Sequence, residues 1–472
     1  MNASTHRLAG GLARRCRSVH RVAAGLAIVV NLWLGSGNLM AAEARTADYR
    51  GWKSLELTNG LVEVHVVPDI GGRVIQFKLG EFEFFWVNPQ LAGKAPPPSG
   101  LDPQGNWLNY GGEKLWPAPQ GWDNDQQWPG PPDAILDGGP HAGSIRTPKG
   151  NSAAVRLVSR PDPRTGIQFS RVIRLFDGSS HVHVDATMTN ADRRPRRWGI
   201  WSVMQHDASN RSGPGYNKNL RVWCPISPKS VLPGGYKVMF GDADNPSFQP
   251  DQQRRLMQVH YQRRVGKIGM DCSAGWMATV NGAAGYALVQ RFPCFPEKKY
   301  PDGASVEIWL HGAGKYVTGG KVHEMKDDPI ETPYFLETEI LSPFAELKPG
   351  QSYTFGQDWY AASVGGDYPV LGCTDVGVTC EPFWAKVADG KTTLAGRFGV
   401  FYRGKLDVAF LDAEGKRLSH VPTDRRVGPE KPLVLDGDFK APAPPPGATQ
   451  AVLLVVDDAR RELGELARTR IE

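Results

Sequence analysis

Two carboxylates stand two residues apart inside an otherwise apolar run, Tyr334-Phe335-Leu336-Glu337-Thr338-Glu339-Ile340-Leu341. In an extended strand, alternate side chains point the same way about 7 Å apart, so Glu337 and Glu339 share one face. Desolvation and mutual repulsion raise the pKa of at least one of them, which leaves a group suited to moving protons. The competing reading is a charge-paired strand in which Arg73 or Lys114 neutralises one acid and no proton moves.

Further candidates lie upstream. In Asp69-Ile70-Gly71-Gly72-Arg73 the glycine pair bends the chain and lets Arg73 project toward a ligand hydroxyl or carboxylate, unless Asp69 or Asp102 engages it in a structural ion pair. Gly111-Gly112-Glu113-Lys114-Leu115-Trp116-Pro117 presents Glu113 and Lys114 either to a ligand or to solvent. Trp107, Tyr110, Trp116, Trp122 and Trp128 form an aromatic loop among Gly and Pro, which suits the apolar face and polar rim of a pyranose ring. Alternatively, these rings plug the open end of a sandwich. His141, in a glycine-rich turn, and His206, ending the run from Trp198 to Asp207, are general-acid candidates or hydrogen-bonded structural residues. Gln205 and His206 are strand neighbours, so only one of them faces any cleft shared with Glu337. His181 and His183 share a strand face, but no third ligand is indicated, and CxxC spacing does not occur; no metal site is expected. Asp271, Glu307 and His311 also lie on strand-like segments, without an indication that they reach the same cleft.

The elements that must hold these residues are strands. The chain of 472 residues contains 54 Gly and 38 Pro and few helix-like apolar periods, which reads as short strands joined by turns. Leu55 and Leu57, the Asn59-Gly60 turn, and Val62, Val64 and Val66 make one hairpin. Val182, Val184, Ala186 and Met188 mark the buried face of another strand. The class is all-β. From about residue 367 the strands shorten, which suggests a second, small β-domain over 367–472 after a main domain over 45–366.

Residues 1–44 read as a secretory signal peptide: five arginines, an apolar run from Val22 to about Leu34, then Ala42-Glu43-Ala44. The apolar run falls short of the roughly 20 residues that a spanning helix needs, and no later stretch is a candidate. A periplasmic or secreted location follows. Losing five arginines and one glutamate takes the formal charge from +6 to +2, and lysines and arginines are scattered among acids, so nucleic-acid binding is not expected. Of the five cysteines left, Cys373 and Cys380 are near enough in sequence to close a small disulfide loop.

These pieces resemble the galactose mutarotase-like (aldose 1-epimerase-like) superfamily over roughly residues 48–363. Tyr334 to Glu339, followed by Leu347-Lys348-Pro349-Gly350, looks like the strand bearing the epimerase catalytic glutamate and its following turn. Gly111-Gly112-Glu113-Lys114-Leu115-Trp116-Pro117 and Gly139-Pro140-His141 are similar to a Gly-Gly-x-x-x-Trp-Pro element and the histidine turn after it. Pro68 to Arg73 and Trp128-Pro129 bring the resemblance closest to an uncharacterised secreted branch, the domain of unknown function 4380.

The resemblance implies a large antiparallel β-supersandwich; the region after about residue 367 lies outside it and looks, by fold-level analogy, like an immunoglobulin-like accessory domain. It makes Glu337 the general base, Arg73 and His141 substrate binders, and His206 a possible general acid, and it requires no cofactor. Glu113, Lys114, Trp116, Trp122 and Gln205 complete the expected binding set. The function implied is aldose-epimerase-like chemistry on a sugar or glycan. The alternatives are a non-catalytic carbohydrate-binding protein and a polysaccharide-cleaving enzyme using the same cleft.

Overall fold

In the strands Ile167–Phe176 and Val182–Asn190 buried and half-buried residues alternate along their whole lengths, the signature of a sheet covered on one face only. They belong to a ten-stranded antiparallel sheet. Opposite it lies a twelve-stranded sheet whose central strands run in the order Arg73–Leu79, Glu113–Ala118, Arg196–Asp207, Phe335–Leu341, Val306–His311 and Gly266–Met270. This computed structural model describes residues 41–95 and 97–472. The expected hairpin is present, with Trp52–Thr58 paired to Val62–Val67 around Asn59-Gly60. The Asn59 side chain also donates to the carbonyls of Phe176 and Ser179 in the second sheet.

In the centre of the larger sheet the alternation disappears. All seven residues of Phe335–Leu341 are buried, because one face meets the second sheet and the other is covered by Trp86 and His311 at Phe335, by Lys114 under the roof of Trp107 at Glu337, and by Trp201 and Lys267 at Glu339. Leu336 and Ile340 point into the core between the sheets. Thr338 lies on that same side and donates to Gln290 Oε1 in the facing sheet. Glu337 and Glu339 therefore occupy the opposite, roofed face, the shared face that a period of two demands.

Residues 372–470 build two further sheets, of four and five strands, around their own apolar cluster that includes Phe398, Val408, Phe410 and Leu453. They meet the sandwich where the Phe401 ring stacks on Tyr360, with 4.4 Å between centroids. Cys373 and Cys380 are both free thiols, contrary to the expected disulfide. In their hairpin Cys373 lies opposite Val378, so the two cysteines are diagonal rather than facing. The expected signal peptide falls largely on residues 1–40, outside the described residues, and the first strand, Glu43–Tyr49, begins just before its expected end. Among the described residues no helix is long and apolar enough to cross a membrane.

Candidate functional site

Three strands bring the site together. Gln205 lies directly opposite Glu337 in the pairing of Arg196–Asp207 with Phe335–Leu341, and Val203 lies opposite both Glu339 and, on its other side, Lys114. Residues facing each other across an antiparallel sheet share a face, so Lys114, Gln205, Glu337 and Glu339 converge under the roof. Lys114 Nζ donates to Glu337 Oε1 at 2.9 Å, and Gln205 Nε2 donates to the same oxygen at 2.8 Å. Oε2 of Glu337 takes no hydrogen bond from the described residues. Burial alone raises the Glu337 pKa, but the Lys114 charge and the Gln205 hydrogen bond outweigh it and hold the carboxyl below its ordinary range. Lys114 is pushed below its own ordinary value by burial, against the pull of Glu337. Its ammonium sits over the rings of Trp116 at 4.8 Å and Trp107 at 5.6 Å.

Glu339 has a different environment. Its Oε2 accepts from Trp201 Nε1 at 2.8 Å and from Lys267 Nζ at 2.9 Å, and Lys267 is also 2.6 Å from Glu307. One lysine thus serves two buried acids. Burial pushes the Glu339 pKa up to about 8; Lys267 opposes this, while Glu307 and Glu337 add to it. Two neighbouring carboxyls are thereby driven apart, one ionised and one holding its proton near neutrality. A carboxyl whose pKa is raised in the native state favours folding below its unfolded value and loses that contribution as pH rises through the native value. Above about pH 6.5, where the buried histidines His141, His206 and His311 are neutral in the unfolded chain as well, unfolding free energy is therefore expected to fall toward pH 8, with a slope of up to about 1.4 kcal/mol per pH unit. Glu339→Gln should flatten that slope in urea titrations at several pH values; an unchanged slope would assign it to other groups.

On the other side of Glu337 stands the strand Val306–His311, which supplies a histidine to the site. Trp309 is the direct neighbour of Glu337 and His311 that of Phe335, so His311 lies on the Glu337 face one diagonal step away. Its ring stacks on Phe335 at 4.0 Å, and Phe335 stacks in turn on Trp86 at 4.7 Å. Burial lowers the His311 pKa to about 3, with Glu337 opposing and Arg263 and Lys114 assisting, so the ring is neutral at ordinary pH. The Trp309 indole donates to His311 Nδ1 at 3.5 Å, which places the ring proton on Nε2. Sequence alone placed His311 only on a strand-like segment, because its approach to Glu337 depends on strand pairing.

The roof hangs on Asp137, which sequence reading passed over. Its Oδ1 accepts from Arg73 at 2.6 Å and from Trp116 Nε1 at 3.2 Å, and its Oδ2 accepts from Trp107 Nε1 at 2.8 Å. At the outer rim Trp122 is 52 % exposed and approaches Gly319, at the tip of the exposed hairpin Gly314–Thr318 and Lys321–Met325. Tyr316 of that hairpin packs edge-on against Trp309 at 5.3 Å.

Several expected site residues lie elsewhere. His206 is on the opposite face of its strand, sealed between the sheets with Nε2 2.7 Å from Thr338 Oγ1 and 3.2 Å from Thr279 Oγ1, so it cannot act on a ligand beside Glu337. Glu113 also points inward, to Arg171 at 2.5 Å and Ser202 at 2.9 Å. Arg73 is wholly buried; its partner is Asp137, not Asp69 or Asp102, and it positions the roof rather than touching a ligand. Trp116 and Trp128 are buried against one another beneath the roof, so neither offers a face to a ligand. His141 is packed against Gly72 with its Nε2 sealed and unpartnered, and so does not reach the cleft. A Cβ on Gly72 would lie 2.3 Å from His141 Nδ1, and Gly72 adopts φ +59°. Gly72→Ala is expected to cost at least about 1–3 kcal/mol in denaturant unfolding; an unaltered midpoint would show that the loop carrying Asp137 can move away.

The sequence matches the family described as Domain of unknown function (DUF4380) over residues 52–362, the whole of the sandwich except its first strand. The chain belongs to the DUF4380 family. Among solved structures it is similar to a galactose mutarotase-like protein from Clostridium acetobutylicum, at 12% identity and TM-score 0.43, over 68% of this chain and 99% of that one. It is also similar to a galactose mutarotase-like protein from Lactobacillus casei ATCC 334, at 12% identity and TM-score 0.41, over 65% and 99%. A TPR-domain containing protein from Parabacteroides distasonis aligns at 14% identity and TM-score 0.43 over 70% of this chain, which spans 54% of its length. No curated protein matches the sequence.

Proposed function

We propose that this DUF4380 protein binds the reducing end of a sugar or glycan over Glu337 and interconverts its anomers. The observation that carries this reading is the Glu337 carboxylate, its pKa held down, anchored through Oε1 by Lys114 and Gln205, with Oε2 taking no hydrogen bond from the described residues on the face that also bears His311. Glu337 Oε2 takes the proton of the anomeric hydroxyl while the Nε2–H of neutral His311 polarises the ring oxygen. As the ring C–O bond breaks, Glu337 passes that proton on to the ring oxygen, which becomes a hydroxyl; the aldehyde rotates, and the same transfers in reverse close the other anomer. Trp107 and Trp122 provide flat surfaces for the sugar at the roof and rim. The N-terminal leader read in the sequence supports a periplasmic or secreted setting.

A specific feature favours a second reading, non-catalytic binding. Gln205 occupies the place beside Glu337 on the strand where the resemblance puts a histidine, and Lys114 reduces the basicity of Glu337 by pairing with it. Anomer interconversion followed by NMR over a panel of free sugars separates the two. Acceleration that is lost in both Glu337→Gln and His311→Asn supports catalysis. Saturable sugar binding without acceleration rejects it in favour of binding, and neither binding nor acceleration rejects both readings.

A further inference from the structure

On the outer face of the ten-stranded sheet, remote from Glu337, two imidazoles converge on one carboxylate. His181 Nε2 lies 2.6 Å and His183 Nδ1 2.7 Å from Asp358 Oδ1. His183 and Asp358 are direct cross-strand partners between Val182–Asn190 and Ser352–Ser363, so a ligand absent from the local sequence arrives from 175 residues away. Among the described residues this is the trio whose ligating atoms all fall within 4.8 Å of one another. We infer that His181, His183 and Asp358 form a binding site for a single divalent transition-metal ion of the zinc type, with coordination positions left open to solvent. The sequence-based expectation of no metal here rested on the missing third ligand, which sheet register supplies.

The chemistry and the surroundings both fit. Two imidazole nitrogens and one carboxylate oxygen suit zinc and the neighbouring first-row divalent ions, and leave room for water. Imidazoles that carry metals are usually steered by a hydrogen bond on the remote nitrogen. Here His183 Nε2 lies 3.1 Å from Asp185, itself held by Arg174 at 2.5 Å, and His181 Nδ1 lies 3.5 Å from the Tyr402 hydroxyl. The His181 ring is clamped between Phe176 at 4.5 Å and Tyr360 at 4.6 Å, both nearly parallel to it. Opposite Asp185 the partner strand carries Gly356, where a Cβ would press to 3.3 Å from His183 Cε1. The side chains are 16%, 28% and 33% exposed, so an ion can enter from solvent. Asp358 Oδ2 takes no hydrogen bond from the described residues and is available as a further donor.

The test uses the intact protein freed of metal with a chelator, titrated with ZnCl2 by calorimetry and with CoCl2 by visible absorption. Stoichiometric, saturable binding with the visible bands of protein-bound cobalt is expected. Asp358→Asn and His183→Gln should each weaken it by at least about tenfold, while His420→Gln, which removes a histidine paired with Asp407 outside the trio, should leave it unchanged. Circular dichroism checks that each variant is folded. Should Asp358→Asn not fold, Asp185→Asn, which leaves all three ligands in place while loosening the remote nitrogen of His183 and the pairing with Arg174, provides the same comparison. Absence of binding by either ion, or full affinity in the folded variants, overturns the inference and leaves the trio as a hydrogen-bonded ring.

Discussion

Glu337→Gln should reduce anomer interconversion by about 10²–10⁴-fold, the contribution typical of a positioned general base. The amide keeps an oxygen for Gln205 Nε2 and nearly the same volume, so the cleft retains its shape. What it loses is the free carboxylate oxygen that accepts the anomeric proton. It also strands Lys114, whose ammonium pairs with no other acid among the described residues, so stability has to be measured alongside rate. A folded variant with undiminished activity would remove Glu337 from the mechanism. A rate loss matched by an equal loss of folded protein would say nothing about catalysis, which is why both are followed in one preparation.

Lys114→Met should be the most destabilising single change around Glu337, by about 3–5 kcal/mol in urea unfolding, because it leaves the buried Glu337 charge with the Gln205 hydrogen bond and the more distant Lys267 charge in place of a direct ion pair. Removing one partner of a buried pair costs more than removing both. The double variant Lys114→Met, Glu337→Gln should therefore recover much of the loss. A single variant as stable as the parent would mean that water reaches Glu337 freely. The same comparison bears on function, since without Lys114 the carboxyl becomes more basic and the balance between binding and proton transfer shifts.

Much of the architecture was legible in the chain because it depends on local periodicity. The alternation at Val182, Val184, Ala186 and Met188, and the Asn59-Gly60 turn between two alternating runs, specify strands and a hairpin without reference to distant residues. The same period of two put Glu337 and Glu339 on one face, and it required that only one of Gln205 and His206 join them. Local pattern could not choose between the last two. The register that sets Gln205 opposite Glu337 joins strands 132 residues apart, and the facing sheet that seals His206 is invisible to any short window.

Three of the misassigned residues share one cause. Arg73, Glu113 and His141 sit on glycine-rich turns, which resemble ligand-binding loops in sequence; in the fold the glycines admit other backbone and side chains instead. Their partners, Asp137, Arg171 and the Gly72 backbone, come from other segments of the chain. The sequence by itself determined the all-β class, the pairing of two acids on one strand face and the aromatic richness of the segment that covers them. Tertiary structure alone decided that the Glu337 pKa is held down and the Glu339 pKa pushed up, that His311 rather than His206 stands nearby, and that Asp358 completes a trio with His181 and His183. The physical reason is that side-chain direction follows from local backbone geometry, whereas pKa and ligand sets depend on charges and donors a few ångströms away in space, delivered by strand register from distant sequence.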